Sequence, residues 1–222
     1  MYLVSILKDW QTLLAGVIAI GAAFIGGQYI NKQIQSDRDI AADERRRKFA
    51  AARAALPLVL SALSDYAIEA SAALTTLLAT KKDEIIPRDK SLGAFPTFAP
   101  TVVSDLREII EFSDEPITNN LVEILSVLQI QRARLNWLYN NLKSESDTIV
   151  MAANVENYIV QTAEIYARCA NLFDFARGKL VLLPATVTSG NVHSALNQAG
   201  LWGDKFPRLH ETVDRAYPGE LK

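Results

Sequence analysis

Sulfur and imidazole are scarce in this chain: its 222 residues include one cysteine, Cys169, and two histidines, His193 and His210. A single thiol excludes an internal disulfide and starves any thiolate metal cluster. Neither histidine has a carboxylate three positions before it, since Gly190 and Pro207 stand there. A di-iron helical bundle needs two Glu-x-x-His motifs, so that chemistry is excluded. His210-Glu211 opens like a zinc-protease motif, but position 214 is Asp where the second histidine belongs. Both histidines read as surface residues.

Glycine and proline are also sparse, at 10 and 8 residues, which excludes collagen-like and low-complexity chains. None of G-x-x-x-x-G-K-[ST], G-x-G-x-x-G or G-x-S-x-G occurs, so the backbone cradles of nucleotide sites and nucleophile elbows are missing. Half the residues are apolar and mean hydropathy is +0.09, too apolar for a disordered chain. With no catalytic constellation, the sequence predicts a protein that is not an enzyme and uses no cofactor or metal.

Charge is absent from one long stretch, WQTLLAGVIAIGAAFIGGQYIN, from Trp10 to Asn31. Trp10 and Tyr29 are 19 positions apart, about 28 Å along a helix, close to the ~30 Å of a bilayer core. Amphipathic aromatic rings favour the two membrane boundaries, so these two read as interface anchors. Residues 11–30 are therefore predicted to span a membrane, within an anchor over residues 1–30. Lys8 precedes the span, whereas Lys32, Arg38, Arg45, Arg46, Arg47 and Lys48 follow it. Basic residues stay on the cytoplasmic side. The expected location is a bacterial inner membrane, with the N-terminus outside and the C-terminal domain cytoplasmic.

One face of the span carries Ala15, Ala19, Ala23 and Gly27, four residues apart. Small residues in such a row let helices approach closely in lipid. The row predicts contact between spans, in a homo-oligomer or with a membrane-protein partner, beside contact with the bilayer itself.

Residues 31–56 contain neither Gly nor Pro and form the expected helical stalk. Asp43 and Glu44 stand four residues before Arg47 and Lys48, the favourable order for helix-surface ion pairs. Arg45 lies 15 residues past Ile30, so about 22 Å from the interface of an upright helix. That exceeds the ~8 Å Debye length, so the run reads as a solvated, ion-paired face rather than a lipid patch. Nucleic acid is not an expected partner: residues 57–222 carry fifteen basic against twenty acidic side chains, and no reading motif is present.

Beyond Pro57 the apolar residues fall into rows spaced alternately by four and three. Leu56, Leu60, Leu63, Ala67, Ala70, Leu74 and Leu77 form one row. Leu121, Ile124, Leu128, Gln131, Leu135, Leu138 and Leu142 form another, and Val155, Ile159, Thr162, Tyr166, Cys169, Phe173 and Ala176 a third. Each row is one buried stripe of a helix, which predicts helices over 51–80, 115–143 and 147–178 and a shorter one over 101–113. Asp114 is placed to cap the second long helix, Ser144 or Ser146 the third, and the short KSES linker makes them antiparallel neighbours. Gln131 lies on an inward stripe, where it fixes register or meets Thr162. Cys169 reads as a small core residue.

Between the first two of these helices, IIPRDKSLGAFPTFAP is a long connection rich in breakers, with Phe95 and Phe98 expected to tuck onto the body. LVLLPATV is the sole strand-like run, interrupted by Pro184. Ser189 is placed to cap a helix through Leu201, and Pro207 to open a last one to about Tyr217, with Trp202 and Phe206 as anchors. The fold class is all-α: a transmembrane helix continuing into a stalk, an antiparallel cytoplasmic helical bundle over 57–178, and a helical extension over 179–222.

The segments DWQTLLAGVIA, AADERRRK and RAALPLVLSAL resemble those of uncharacterised single-span inner-membrane proteins of proteobacteria, over about the first 65 residues. The resemblance implies a membrane location and no particular activity. The sequence thus predicts a membrane-anchored helical interaction or sensing module; the alternative is a membrane effector, of toxin or phage-defence type, that acts by oligomerising its spans.

Overall fold

A computed structural model describes residues 2–144, 148–179 and 186–217. Before residue 26, side chains are described only for Trp10, Gly16 and Phe24. The described residues contain six helices: α1 (Tyr2–Leu78), α2 (Pro100–Phe112), α3 (Glu115–Lys143), α4 (Ala152–Ala176), α5 (Ser189–Gln198) and α6 (Pro207–Ala216). Two short strands, β1 (Ile85–Ile86) and β2 (Val150–Met151), pair antiparallel. The chain divides into two compact units, residues 1–48 and 49–222.

In the first unit α1 is helical from Tyr2 onward. Its described side chains are exposed, with Trp10, Phe24, Tyr29 and Ile30 the large apolar ones. Glu44 pairs with Lys48 at 2.9 Å as expected. Asp43 pairs with Arg46, three residues on, at 3.5 Å, rather than with Arg47. Residues three and four apart are both neighbours on a helix surface, so either partner is within reach.

Within the second unit, α1 carries Pro57 inside the helix. The expected rows from α1 and α3 are buried, Leu56, Leu60, Leu74, Leu121, Ile124 and Leu138 completely. On α2 the buried residues are Val102, Leu106 and Ile109. α4 is not the one-striped helix that its periodicity predicts. Val160, Ala163, Ile165, Ala167 and Leu172 are buried as well as Val155, Ile159 and Cys169, because α3, α5 and α6 all pack around it. Such a helix lies at the centre of its core.

Four local expectations are corrected. α4 starts at Ala152 with Met151 at its N-cap, not near residue 147 with a serine cap, because residues 150–151 pair with β1. Asp114 does occupy the N-cap position of α3, but its side chain makes no capping bond. α5 is capped by Thr188, not Ser189, through a reciprocal box with Asn191, and it ends at Gln198 rather than Leu201. Trp202 is 52% exposed rather than an anchor in the core, whereas Phe206 packs against it. The expected cap Ser146 and most of the strand-like run, residues 180–185, lie outside the described residues.

A tight turn follows α1. Lys82 and Ile85 exchange two backbone hydrogen bonds of 2.9 Å, and the central residues Asp83 and Glu84 both have positive φ, 47° and 62°. Positive φ at both positions is the mark of a type I′ turn. A non-glycine residue there carries a steric cost of about 1–2 kcal/mol. Glu84 is held in place at three points: its carbonyl accepts the Ala152 N–H at 2.8 Å, and its carboxylate pairs with Lys81 at 3.0 Å and Arg208 at 2.6 Å. The guanidinium beside it holds the Glu84 carboxyl below the usual range.

Candidate functional site

The segment between α1 and α2 folds over the flank of α1 and α3 and leaves a cleft of about 610 Å³. That volume falls within the 300–1,000 Å³ common for ligand pockets. Its floor is apolar. Tyr66 from α1 meets Phe98 edge to face, with centroids 5.1 Å apart and planes at 87°. Phe95 and Pro96 line it from the connection, Pro100 and Val103 from α2, and Leu135 from α3. Phe95 and Phe98 do tuck onto the body, half-buried against its core.

Two contacts hold the connection in this path. The Asp89 N–H donates to the Leu142 carbonyl at 3.1 Å, and the Asp89 carboxylate accepts the Ser91 N–H at 2.8 Å. These hydrogen bonds from Ser91 hold the Asp89 carboxyl below its ordinary value.

One side of the cleft is polar, where α3 presents Arg132, Asn136 and Tyr139. The Tyr139 hydroxyl accepts a hydrogen bond from Lys143 at 3.0 Å. No carboxylate lines the cleft, and none among the described residues pairs with Arg132. Burial pushes the Tyr66 phenol up to about 12, with the positive charge of Arg132 opposing that rise. Tyr66 therefore stays a neutral hydroxyl at physiological pH. The arrangement offers an aromatic floor, a neutral phenol and an uncommitted guanidinium, which together suit an apolar group bearing a negative charge.

Other polar side chains are committed to the fold. Arg208 bridges Glu84 and the buried Glu156, 3.1 Å from the latter. Arg168 pairs with Glu164 at 2.8 Å and also with Glu123, joining α3 to α4. Arg53 donates through Nε to the Phe175 carbonyl at 2.9 Å, with its guanidinium over that residue's ring. A cation is favourable at this C-terminal end of α4, where the helix macrodipole is negative.

Gln131 is fully buried, but it does not meet Thr162. Its Nε2 donates to the Tyr158 carbonyl at 3.3 Å, its Oε1 has no partner among the described residues, and the Thr162 hydroxyl donates to the Ile159 carbonyl at 2.6 Å. Cys169 is buried as expected, and desolvation pushes its thiol up to about 12.

The residues singled out by the sequence lie in the first unit. Trp10 and Tyr29 are 66% and 73% exposed. Gly27 is exposed, with open space where a Cβ would stand. The side chains of Ala15, Ala19 and Ala23 lie outside the described residues. Lys32, Arg38, Arg45, Arg46, Arg47 and Lys48 are all exposed. Among the described residues one helical stretch, Gly26–Leu78 of α1, is long and apolar enough to cross a membrane by length and composition. Of its most apolar window 39% is buried within the protein, so part of that apolarity belongs to the core row from Leu56 to Leu77.

Sequence reasoning missed two constellations. The cleft assembles residues from four segments: Phe95 and Phe98 were expected on the body and Leu135 in a core row, but nothing marked Tyr66 or Arg132. The two histidines are not independent surface residues either: His193 of α5 and His210 of α6 meet at 2.7 Å, with Asp214 beside them. The spacing of His210 and Asp214, four residues apart on one helix, was the available signal. No group of three or more His, Cys, Asp or Glu among the described residues is placed to hold a metal ion. No family model matches the chain, nor does any curated protein or solved structure.

Proposed function

We propose that this chain is a membrane-anchored helical module for interaction or sensing, whose binding surface is the cleft beneath the α1–α2 connection. In this reading residues 11–30 cross a bacterial inner membrane, and the helices of the second unit form an antiparallel bundle on the cytoplasmic side. The charge-free stretch, the exposed Trp10 and Tyr29 near its ends, and the excess of basic residues after it support the anchor. The cleft itself carries the functional reading. A guanidinium without a carboxylate partner among the described residues, set beside aromatic and proline side chains, is complementary to an acidic, apolar segment of a partner protein.

The test places a photo-crosslinking amino acid at Val103 inside the cleft and, as control, at the exposed Trp202, in the full-length protein in its native membrane. A discrete crosslinked species from Val103 alone, lost on Arg132→Glu, supports the reading. The same products from both positions, or none from Val103, overturn it. Expression that depolarises cells, and that Ala19→Leu with Ala23→Leu abolishes, would instead identify a membrane effector acting through its spans.

A further inference from the structure

The contact between α5 and α6 contains a hydrogen-bond chain whose proton count is fixed by its ends. His193 Nδ1 lies 2.7 Å from His210 Nδ1. The ring planes are within 10° of parallel and the centroids are 4.8 Å apart. Centroids so much farther apart than the facing nitrogens mean that the rings point these nitrogens at each other, not that one ring lies over the other. The outer nitrogens are also engaged: His193 Nε2 is 2.8 Å from Asp214 Oδ1, and His210 Nε2 is 2.9 Å from the Leu201 carbonyl oxygen.

A carbonyl oxygen only accepts, so His210 Nε2 carries a hydrogen; an ionised carboxylate only accepts, so His193 Nε2 carries one too. A neutral imidazole has a single N–H. Two neutral rings would therefore set two lone pairs against each other at 2.7 Å, and two imidazolium rings would set two N–H groups against each other. One hydrogen between the Nδ1 atoms satisfies the contact, and 2.7 Å is the length of a charge-assisted bond. If that extra proton is instead assigned to Asp214, the tautomer of His193 reverses and the total held by the three side chains is unchanged. The proton belongs to the group, not to one residue.

We propose that His193, His210 and Asp214 form a one-proton site, in which a single proton beyond those of two neutral imidazoles and a carboxylate joins α5 to α6. This goes beyond the cleft and does not depend on it. Losing the proton leaves facing lone pairs and gaining another leaves facing N–H groups, so the contact exists only within a bounded pH window. α5 has no titratable or charged group besides His193; the following turn has Asp204 and Lys205, α6 has Arg208, Glu211 and Arg215, and the neighbouring α4 has Glu156, Glu164, Arg168, Asp174. Asp214 is the one that bonds an imidazole among the described residues. Val192, Leu196, Leu209 and Val213 are buried in the same two helices, so opening the histidine contact disturbs part of the core.

Because the chain has no other histidine, ring-labelled [15N]histidine reports on this pair alone. The full-length protein in detergent micelles is expected to show two protonated Nε2 atoms and one proton shared by the Nδ1 atoms, with scalar coupling between those nitrogens. The two ring Cε1–H signals are expected to shift together with pH through common midpoints. His193→Gln keeps a donor toward His210 and is expected to abolish the nitrogen–nitrogen coupling and leave His210 with a simple one-site curve. Two bare Nδ1 atoms in the folded protein, or two independent titration curves in the unsubstituted chain, overturn the proposal.

Discussion

Replacing Gln131 by methionine is expected to stabilise the protein, although it deletes a hydrogen bond. Gln131 is fully buried with Oε1 unpartnered, and its one bond, to the Tyr158 carbonyl, is long at 3.3 Å. Leaving a buried acceptor unsatisfied costs about 1–3 kcal/mol, whereas a neutral hydrogen bond returns about 0.5–1.5 kcal/mol and a long one the lower part of that range. The Tyr158 carbonyl is not orphaned by the change, because it lies inside α4 and keeps the i+4 amide of the helix. Methionine is close to glutamine in length and volume, so the row from Leu121 to Leu142 becomes wholly apolar without a cavity. The net expectation for Gln131→Met is a gain of about 1 kcal/mol, read as a rise of roughly 2–4 °C in Tm for a unit of this size. Gln131→Ala removes the same polar atoms but opens a cavity, and it is expected to cost about 2 kcal/mol or more. Thermal melts of the detergent-solubilised protein, followed by far-UV circular dichroism, compare the three chains. A Gln131→Met protein that melts below the unsubstituted one would refute the reasoning, because it would show that Oε1 has a partner worth keeping.

Other perturbations follow from the same contacts. Arg208→Met strips the buried Glu156 of its cation and releases Glu84; since Arg208 itself is half-exposed, the expected loss is about 1 kcal/mol, and adding Glu156→Gln should recover the part due to Glu156 in the same melts. Thr188→Ala breaks the capping box of α5 and is expected to cost about 1 kcal/mol in urea unfolding, while Ser189→Ala costs little. Alkali should destabilise the fold, because burial raises the Cys169 thiol and the Tyr66 phenol to about 12 from their ordinary 9.0 and 10.0. Their contribution is complete below pH 9 and declines as pH rises from there through 12. Tm measured across that range should fall less steeply in a Cys169→Ala, Tyr66→Phe double variant, and an unchanged slope would count against this origin. In membranes, Ala19→Ile with Ala23→Ile should lower crosslinking between spans if the small-residue row is an interface; unchanged yields would show that it is not.

Much of the helical framework was legible in the sequence because helical burial repeats every three and four residues. The rows through Leu60 and Leu128 needed no tertiary information. α4 was misjudged because one stripe predicts one buried face, and nothing local reveals that neighbours arrive on three sides. Its start was misjudged for a related reason: residues 150–151 are held by Ile85 and Ile86, a pairing across some 65 residues of chain. The type I′ turn escaped notice because Asp83-Glu84 lacks the glycine or asparagine that marks such turns, and it is held instead by distant Arg208 and Ala152. The cleft and the histidine pair were invisible for the same physical reason. Each depends on side chains brought together from separate helices, and no spacing rule links Tyr66 to Arg132 or His193 to His210.

The burial of Cys169 has a practical consequence for the membrane question. A thiol reacts as its thiolate, and this one is both enclosed and held protonated far above neutral pH. The folded chain is thus a silent background for maleimide chemistry, with its native cysteine left in place. Single cysteines introduced one at a time at Trp10, Gly27, Lys32 and Arg38 would each report only on their own surroundings. Membrane-impermeant reagents applied from either face of the bilayer would then test whether residues 11–30 cross it and which end meets which compartment, with no core residue altered to make the measurement.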